Sequence, residues 1–245
     1  MKDEIRHFLL GRGMDVVGVA DAACFQAPRG YNPNDILEDC RSVVVFAKAI
    51  PKGVFEARQS HLQLYLNAYE RYFAAMDELA LHVASWLEER GFLSVPIPSC
   101  TPLPRRNGLY RGILSLKHAA ELAGLGKFGR NQLLLNDKYG PRLRLSALLT
   151  RAELEPDPPV EGSLCPESCS VCLEACLPKA IRPQGFDQPR CFEHSVSHPL
   201  LSLSAVTRFL PQRVSSDSFT ELVTNTLSRP FQVTCIECLI RCPSY

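Results

Sequence analysis

The sequence lacks the features that mark membrane, exported and nucleic-acid-binding proteins. It has no run of about 18 uncharged apolar residues, the least that a spanning helix needs, so we expect a soluble protein with no membrane partner. Its first residues lack the uninterrupted apolar segment of a signal peptide, which predicts a cytoplasmic location. Lysine and arginine number 27 against 26 acidic residues, so the net charge of +1 implies no field for binding polyanions.

Patterns of both helix and strand are present in the first 155 residues. Three segments have helical spacing, and five short apolar runs are typical of strands. The helices are predicted at 3–12, 61–90 and 115–122, and the strands at 16–20, 41–48, 93–97, 132–135 and 142–150. The strand at 41–48 is the clearest and is expected to be central. An acidic, proline-rich stretch at 153–162 reads as a linker, so we predict an α/β domain at 1–155 and a second domain at 156–245.

Eleven cysteines are many for 245 residues, and they are unevenly distributed. Cys24, Cys40 and Cys100 are scattered through the first 164 residues and are predicted to be buried, small hydrophobic side chains. The other eight lie between Cys165 and Cys242. In a cytoplasmic chain, such clustering indicates metal binding rather than disulfide bonds.

The eight clustered cysteines form two motifs with one cysteine between them. In two-cluster ferredoxins, the fourth cysteine of a run, close to a proline, binds the other cluster. The spacing therefore predicts two 4Fe–4S clusters with crossed ligands. The first set is Cys165, Cys169, Cys172 and Cys242, and the second is Cys176, Cys191, Cys235 and Cys238. A pair of zinc sites is the alternative, although zinc ribbons prefer two well-separated C-x-x-C pairs.

A longer set of motifs resembles a known family. Residues 118–136 read HAAELAGLGKFGRNQLLLN, Tyr139-Gly-Pro follows, and the cysteine motifs come after a further strand. Together with the opening strands, these motifs resemble epoxyqueuosine reductases, which share their plan with reductive dehalogenases. The resemblance implies an α+β protein in which a nitroreductase-like, cobalamin-binding α/β domain precedes a ferredoxin-like module with two 4Fe–4S clusters. It also implies that an external donor of the flavodoxin or ferredoxin type supplies electrons, which pass through the clusters to cobalamin and to the substrate.

The sequence departs from the family at two internal positions. The family's proposed proton donor is acidic, and its place is taken here by Tyr110 beside Arg111. A cationic neighbour lowers the pKa of a phenol, so the pair could supply a proton; alternatively, Tyr110 is a loop aromatic. The family's Gly-Arg-Asp-Tyr-His segment is replaced by a stripe of tyrosines, Tyr65, Tyr69 and Tyr72, which is typical of core packing.

A glycine-rich loop follows the third predicted helix. Its backbone amides and positive charges could contact phosphate or amide groups of a cofactor, whereas glycines after a helix also form its C-cap. A histidine on that helix is a further candidate, although such a residue is commonly structural. The predicted cofactor contacts are His118, Gly124, Gly126, Lys127, Gly129, Arg130 and Asn131.

The leading hypothesis is a cytoplasmic iron–sulfur oxidoreductase that reduces a small or nucleoside-like substrate. The chain stops at Tyr245, before the further helical region of the tRNA-acting members, so a tRNA substrate is not favoured. One alternative is an electron-transfer partner whose α/β domain docks on a separate enzyme. A third hypothesis places a flavin where the resemblance implies cobalamin.

Overall fold

The structure, a computed structural model, describes residues 1–27, 30–100, 105–106, 109–197 and 232–244. Within these ranges the helices are α1 (Lys2–Gly11), α2 (Pro33–Ile36), α3 (Lys52–Glu56), α4 (His61–Glu88), α5 (Leu116–Leu122), α6 (Val171–Ala175), α7 (Gln188–Ser195) and α8 (Glu237–Ile240). The strands are β1 (Val16–Asp21), β2 (Ser42–Ala49), β3 (Ser94–Ile97), β4 (Arg105–Arg106), β5 (Leu109–Tyr110), β6 (Lys127–Phe128), β7 (Leu134–Leu135), β8 (Leu143–Thr150), β9 (Ile181–Arg182), β10 (Gly185–Phe186), β11 (Val196–Ser197) and β12 (Gln232–Val233).

A four-stranded antiparallel sheet forms the centre of the α/β part, in the order β1-β2-β8-β3. The prediction that β2 is central is confirmed, because it pairs with β1 on one side and β8 on the other. Side chains alternate across a strand, so Val43 and Val45 enter one core while Val44 and Phe46 enter the other. Both faces of the sheet are therefore covered, which explains the unbroken apolar run.

Helices cover the two faces of the sheet. Helix α5 packs on the first face, and α1 and α4 pack on the second. Burial of Ile5 and Leu9, four residues apart, explains why a helix as short as α1 is held in place. Helix α4 ends where predicted, since Gly91 takes a left-handed conformation (φ +87°) and the Phe92 amide returns to the Leu87 carbonyl at 3.1 Å.

The predicted linker is tied to the α/β part over its first half. The Asp157 carboxylate accepts hydrogen bonds from Arg6 at 2.7 and 2.8 Å and from the Val19 amide at 2.9 Å, and it pairs with Lys2 at 2.9 Å. Burial opposes ionisation of Asp157, but these partners outweigh it and lower the pKa of the carboxyl group. The segment up to Asp157 is therefore bound to the α/β part, with Leu154 buried in the core beneath α1 and α4, and the boundary between domains at 155 stays a prediction.

The tyrosine stripe packs in a third hydrophobic cluster. Tyr65 is buried beside Phe55, and both pack with Ile236 and Leu239 from the end of the chain. Helix α4 thus supports α8, which carries Cys238, and the prediction of core packing is confirmed.

The three scattered cysteines differ in exposure. Cys40 is buried, as predicted, and Cys100 is partly buried with its sulfur 2.8 Å from the Tyr69 hydroxyl. The prediction for Cys24 was wrong, because this residue lies in a short turn after β1 and is exposed. None of the helices in the described ranges is both long and apolar enough to cross a bilayer.

Candidate functional site

The first predicted ligand set comes together in space. Cys165, Cys169, Cys172 and Cys242 line one small cavity, although Cys242 lies 70 residues beyond Cys172 in the chain. Burial raises the pKa of Cys172, and the nearby thiols of Cys165 and Cys169 raise it further. Burial likewise raises the pKa of Cys242, and a bound cation would offset the cost of ionising these two thiols.

The second predicted set also converges. Cys172, Cys176 and their apolar neighbours form a buried cluster against which Cys191 and Cys238 pack. Burial raises the pKa of Cys238 to about 12, and the largest further contributions come from Cys191 and Cys235. The Cys176 sulfur also accepts a hydrogen bond from the Ala180 amide at 3.2 Å, the kind of contact that tunes the potential of a cluster.

No three of the His, Cys, Asp and Glu side chains within the described ranges are close enough to hold a single metal ion. Four thiolates on one zinc ion stand about 3.8 Å apart, as Zn–S bonds of about 2.3 Å require. A cubane carries one thiolate on each iron and so needs wider spacing between sulfurs. The role of the eight cysteines as ligands of two clusters stays a prediction.

Arg130 and Asn131 join the α/β part to both cysteine motifs. The Arg130 guanidinium donates to the Cys169 carbonyl at 2.9 Å and to the Glu167 carbonyl. The buried Asn131 amide donates to the Cys238 carbonyl at 3.0 Å and accepts from the Leu133 amide at 3.2 Å. Both residues were predicted as cofactor contacts, and the structure places their side chains on the cysteine loops.

A cavity of about 770 Å³ lies between α5, the turn after β1 and the cysteine-rich part. This volume is within the range of small-molecule and cofactor sites. Phe25, Phe128 and Phe186 supply apolar surface, while glutamines and cations supply polar groups. The polar lining residues that the later argument uses are Gln26, Gln132, Gln188, Arg111, Lys117 and His118.

The cavity and the second cysteine group share a wall. Phe186 lines the cavity and also packs on the buried cluster that contains Cys176. Gln188 lines the cavity from the first turn of α7, and the same helix carries Cys191 one turn later. The second cysteine group therefore lies next to the edge of the cavity.

His118 faces the cavity from α5 but has local partners. Its Nδ1 atom is 2.6 Å from the Ser115 hydroxyl, and its ring centroid is 4.8 Å from that of Phe128. These contacts orient the ring on the cavity wall, so a cofactor contact by His118 stays a prediction.

The glycines of the loop meet the protein's own backbone. A β-carbon on Gly124 would come within 2.4 Å of the Pro158 carbonyl oxygen, and one on Gly126 within 2.0 Å of the Leu135 oxygen. At Gly129 the clash would be with the side chains of Asn131 and Leu135. Packing therefore explains why these three positions are glycine. The C-cap interpretation also accounts for Gly124, which follows α5 and has a left-handed conformation at φ +73°.

The predicted catalytic pair is only partly described. Tyr110 lies in β5, which pairs with β4, and its side chain is outside the described part of the structure. Arg111 is exposed and lines the cavity, with its guanidinium 5.7 Å from the Tyr31 ring centroid. Lys127 is partly buried in β6. The roles of these three residues stay predictions.

Comparison with known proteins agrees with this geometry. An epoxyqueuosine reductase from Synechococcus sp. (strain CC9605) is 31% identical over 193 residues, which cover 77% of this chain and 56% of that protein. The crystal structure of an epoxyqueuosine reductase with an epoxyqueuosine-modified tRNA stem loop superimposes with a TM-score of 0.58 at 21% identity, covering 99% of this chain and 64% of that one. The resemblance to the epoxyqueuosine reductase-like family is confirmed.

Reductive dehalogenases share this fold. A reductive dehalogenase whose structure suggests a mechanism for B12-dependent dehalogenation has a TM-score of 0.57 at 20% identity, covering 78% of this chain and 28% of that one. Both structural matches establish the shared mixed α/β fold. The chain spans little more than half the length of the epoxyqueuosine reductase it matches in sequence, and no family model matches it.

Sequence reasoning missed most of the residues that line the cavity, among them Lys117, Phe186 and Gln188. Lys117 is partly buried, and burial lowers its pKa, while the thiols of Cys191 and Cys238 act in the opposite direction. The position of Lys117 beside His118 in α5 was the available signal. Phe186 and Gln188 lie in the cysteine-rich part, and nothing local in the sequence indicates that they reach the cavity.

Proposed function

We propose that this chain is an iron–sulfur oxidoreductase similar to epoxyqueuosine reductase. In this proposal, two 4Fe–4S clusters carry electrons from an external donor of the flavodoxin or ferredoxin type to a cofactor in the cavity, with cobalamin the first candidate. The observation that carries the proposal is the convergence of eight cysteines into two groups of four, one of which shares a wall with a cavity of about 770 Å³.

The chain's own residues divide the work. Cys165, Cys169, Cys172 and Cys242 would hold one cluster, and Cys176, Cys191, Cys235 and Cys238 the other. Each cluster supplies one-electron transfer when bound. Contact between the groups through Cys172, which contributes to the raised pKa of Cys238, supports transfer from the first to the second. Arg130 and Asn131 hold both motifs against the α/β part.

The lining of the cavity fits cobalamin in its chemistry. The macrocycle has an apolar face, which matches the rings of Phe25 and Phe128. It also has a rim of amide groups, which match the glutamine amides of the cavity wall. When bound, reduced cobalt supplies a strong nucleophile or one-electron reductant. The protein orients the cofactor, excludes water and supplies charge, which Arg111 and Lys117 provide at the cavity wall.

The size of this cavity favours an enzyme over the alternative of an electron-transfer partner. A partner that merely docks on another enzyme has no need of a concave apolar site beside its inner cluster, whereas a reductase needs one for a cofactor and substrate. A substrate of small or nucleoside-like size is consistent with this space. An entire tRNA would have to be held by further surface, so tRNA is the less favoured substrate in this proposal.

Cluster content is tested first. Protein purified without oxygen is expected to contain about eight irons and eight sulfides per chain and to show 4Fe–4S signals in electron paramagnetic resonance after reduction. About four irons would remove one of the two clusters, and stoichiometric zinc in place of iron would overturn the proposal.

The cofactor is tested on the same preparation. Calorimetry with cob(II)alamin and, separately, with flavin mononucleotide compares the two candidates, with Phe128→Ala as a variant of the cavity wall and Phe92→Ala as a matched variant in the other core. We expect cobalamin to bind and the Phe128 variant to bind at least about tenfold more weakly. Binding of flavin alone would replace cobalamin in the proposal, and binding of neither would favour the electron-transfer partner.

A further inference from the structure

Lys117 occupies the boundary between the cavity and the second cysteine group. Its side chain lines the cavity, and its ammonium group donates to the Gln132 carbonyl oxygen at 2.6 Å. The residue before Gln132 is Asn131, whose amide binds the Cys238 carbonyl. Lys117 therefore braces the turn that holds the second cysteine motif.

Within the described part of the chain, the Lys117 ammonium group makes no salt bridge with a carboxylate. The Phe128 ring, with its centroid 5.8 Å from the ammonium nitrogen, and the Gln132 carbonyl are its neighbours. A cluster with four cysteine ligands is an anion, and it becomes more negative by one charge when reduced. In a partly buried site that anion interacts with a nearby cation more strongly than in water.

We propose that Lys117 is a positioning residue for electron transfer, whose positive charge stabilises the reduced form of the centre held by Cys176, Cys191, Cys235 and Cys238. This inference rests on the proposed function. The external donor supplies one electron, the cluster accepts it, and Lys117 keeps its proton throughout. The charge favours reduction of the cluster that shares a wall with the cavity, and loss of the charge is therefore expected to lower the potential of that cluster.

The test measures cluster potentials rather than turnover. Redox titrations followed by electron paramagnetic resonance give a midpoint potential for each cluster in wild-type protein and in Lys117→Met, Lys117→Gln and Lys117→Arg. Loss of the charge in Met or Gln is expected to lower the equilibrium constant for reduction of one cluster about tenfold, which is about 59 mV for one electron. The other cluster should be unchanged, and arginine should restore most of the difference.

The variants distinguish the effect of the Lys117 charge from the effect of its hydrogen bond to the Gln132 carbonyl. Glutamine can still donate to the Gln132 carbonyl, so a Gln variant with the wild-type potential would show that the hydrogen bond matters and would overturn the proposal. A Met variant that fails to load its cluster leaves the Gln and Arg variants to decide between these outcomes. Lys138→Met removes an exposed lysine that stacks on Tyr139, and it is the control expected to change neither potential.

Failure of this inference is distinguishable from failure of the proposed function. Wild-type protein that contains no iron and sulfide would remove both. Wild-type protein with two clusters, of which neither changes potential in the Met and Gln variants, would remove the role of Lys117 and leave the oxidoreductase proposal intact.

Discussion

Arg130 illustrates how one side chain can determine the geometry of a distant loop. Its guanidinium donates to the carbonyls of Glu167 and Cys169, 37 and 39 residues further along the chain. The loop between Cys165 and Cys172 has a single short helix nearby and little apolar surface of its own, so such charged donors contribute much of its order.

Replacement of Arg130 by alanine is expected to loosen the first cysteine loop. Two charge-assisted hydrogen bonds are lost, and because they are partly exposed we expect a cost of about 1.4 kcal/mol, or roughly tenfold faster release of one cluster to an iron chelator. The measurement is the decay of visible absorbance under anaerobic conditions. Lys127→Ala removes a cation three residues away and should release iron at the wild-type rate. Equal rates for Arg130→Ala and wild type would contradict the role assigned to this arginine.

At the scale of elements, the glycines of the loop between α5 and β6 allow backbone segments to approach closely. Gly124 lets the end of α5 approach the Pro158 carbonyl, and Gly126 lets the loop approach the Leu135 carbonyl. Neither neighbour is a flexible side chain that could move aside. The loop is thereby fixed between the sheet and the segment that leads to the cysteines.

Gly126→Ala is expected to destabilise the fold rather than to weaken cofactor binding alone. A β-carbon 2.0 Å from the Leu135 oxygen requires the backbone to move, which we expect to cost about 3 kcal/mol in the free energy of unfolding. Denaturant unfolding measures this cost. The matched control is Gly11→Ala at the end of α1, where a β-carbon meets no atom within 4 Å and the change should be neutral or slightly stabilising. Unaltered stability of Gly126→Ala together with lost cofactor binding would instead support a cofactor contact.

Local pattern was sufficient for most elements of the α/β part and insufficient for others. The strand β2 is readable because burial on both faces produces a continuous apolar run, and the end of α4 is readable because Gly91 favours a left-handed turn. The predicted strand at 132–135 is shorter, since Gln132 itself has φ +58° and only Leu134–Leu135 pairs. Surrounding contacts impose the left-handed backbone conformation of Gln132, and no local sequence pattern predicts it.

At the scale of the whole molecule, the sequence predicts a crossed grouping of the cysteines, whereas the contacts that hold the cysteine loops in place cannot be predicted from it. Spacing and a following proline were enough to assign Cys242 to the first group. The contacts that hold the groups in place join residues such as Asn131 and Cys238, which are 107 positions apart. Such long-range contacts arise from tertiary packing, so they cannot be predicted from local patterns in a single sequence.

Exchange of single cysteines tests the crossed grouping. Cys242→Ser should remove the cluster formed with Cys165, Cys169 and Cys172 and spare the other, while Cys238→Ser, four residues earlier, should have the opposite effect. Each variant is expected to retain about four irons, with different surviving resonance signals. Loss of the same signal in both variants would show that the final motif serves one cluster, which contradicts the crossed arrangement. Cys24→Ser is the control, expected to keep both.

The interleaving of the two cysteine groups also has a consequence for biosynthesis. A ribosome delivers the chain from its amino end, and the sheet can close once Thr150 has emerged. The second set of four sulfurs is complete only when Cys238 has been made and the first only when Cys242 has been made. Under the proposed function, metal loading would therefore follow translation of nearly every residue described. The α/β part would then fold first, and Arg130 and Asn131 would already be in place to bind the cysteine loops when these are synthesised.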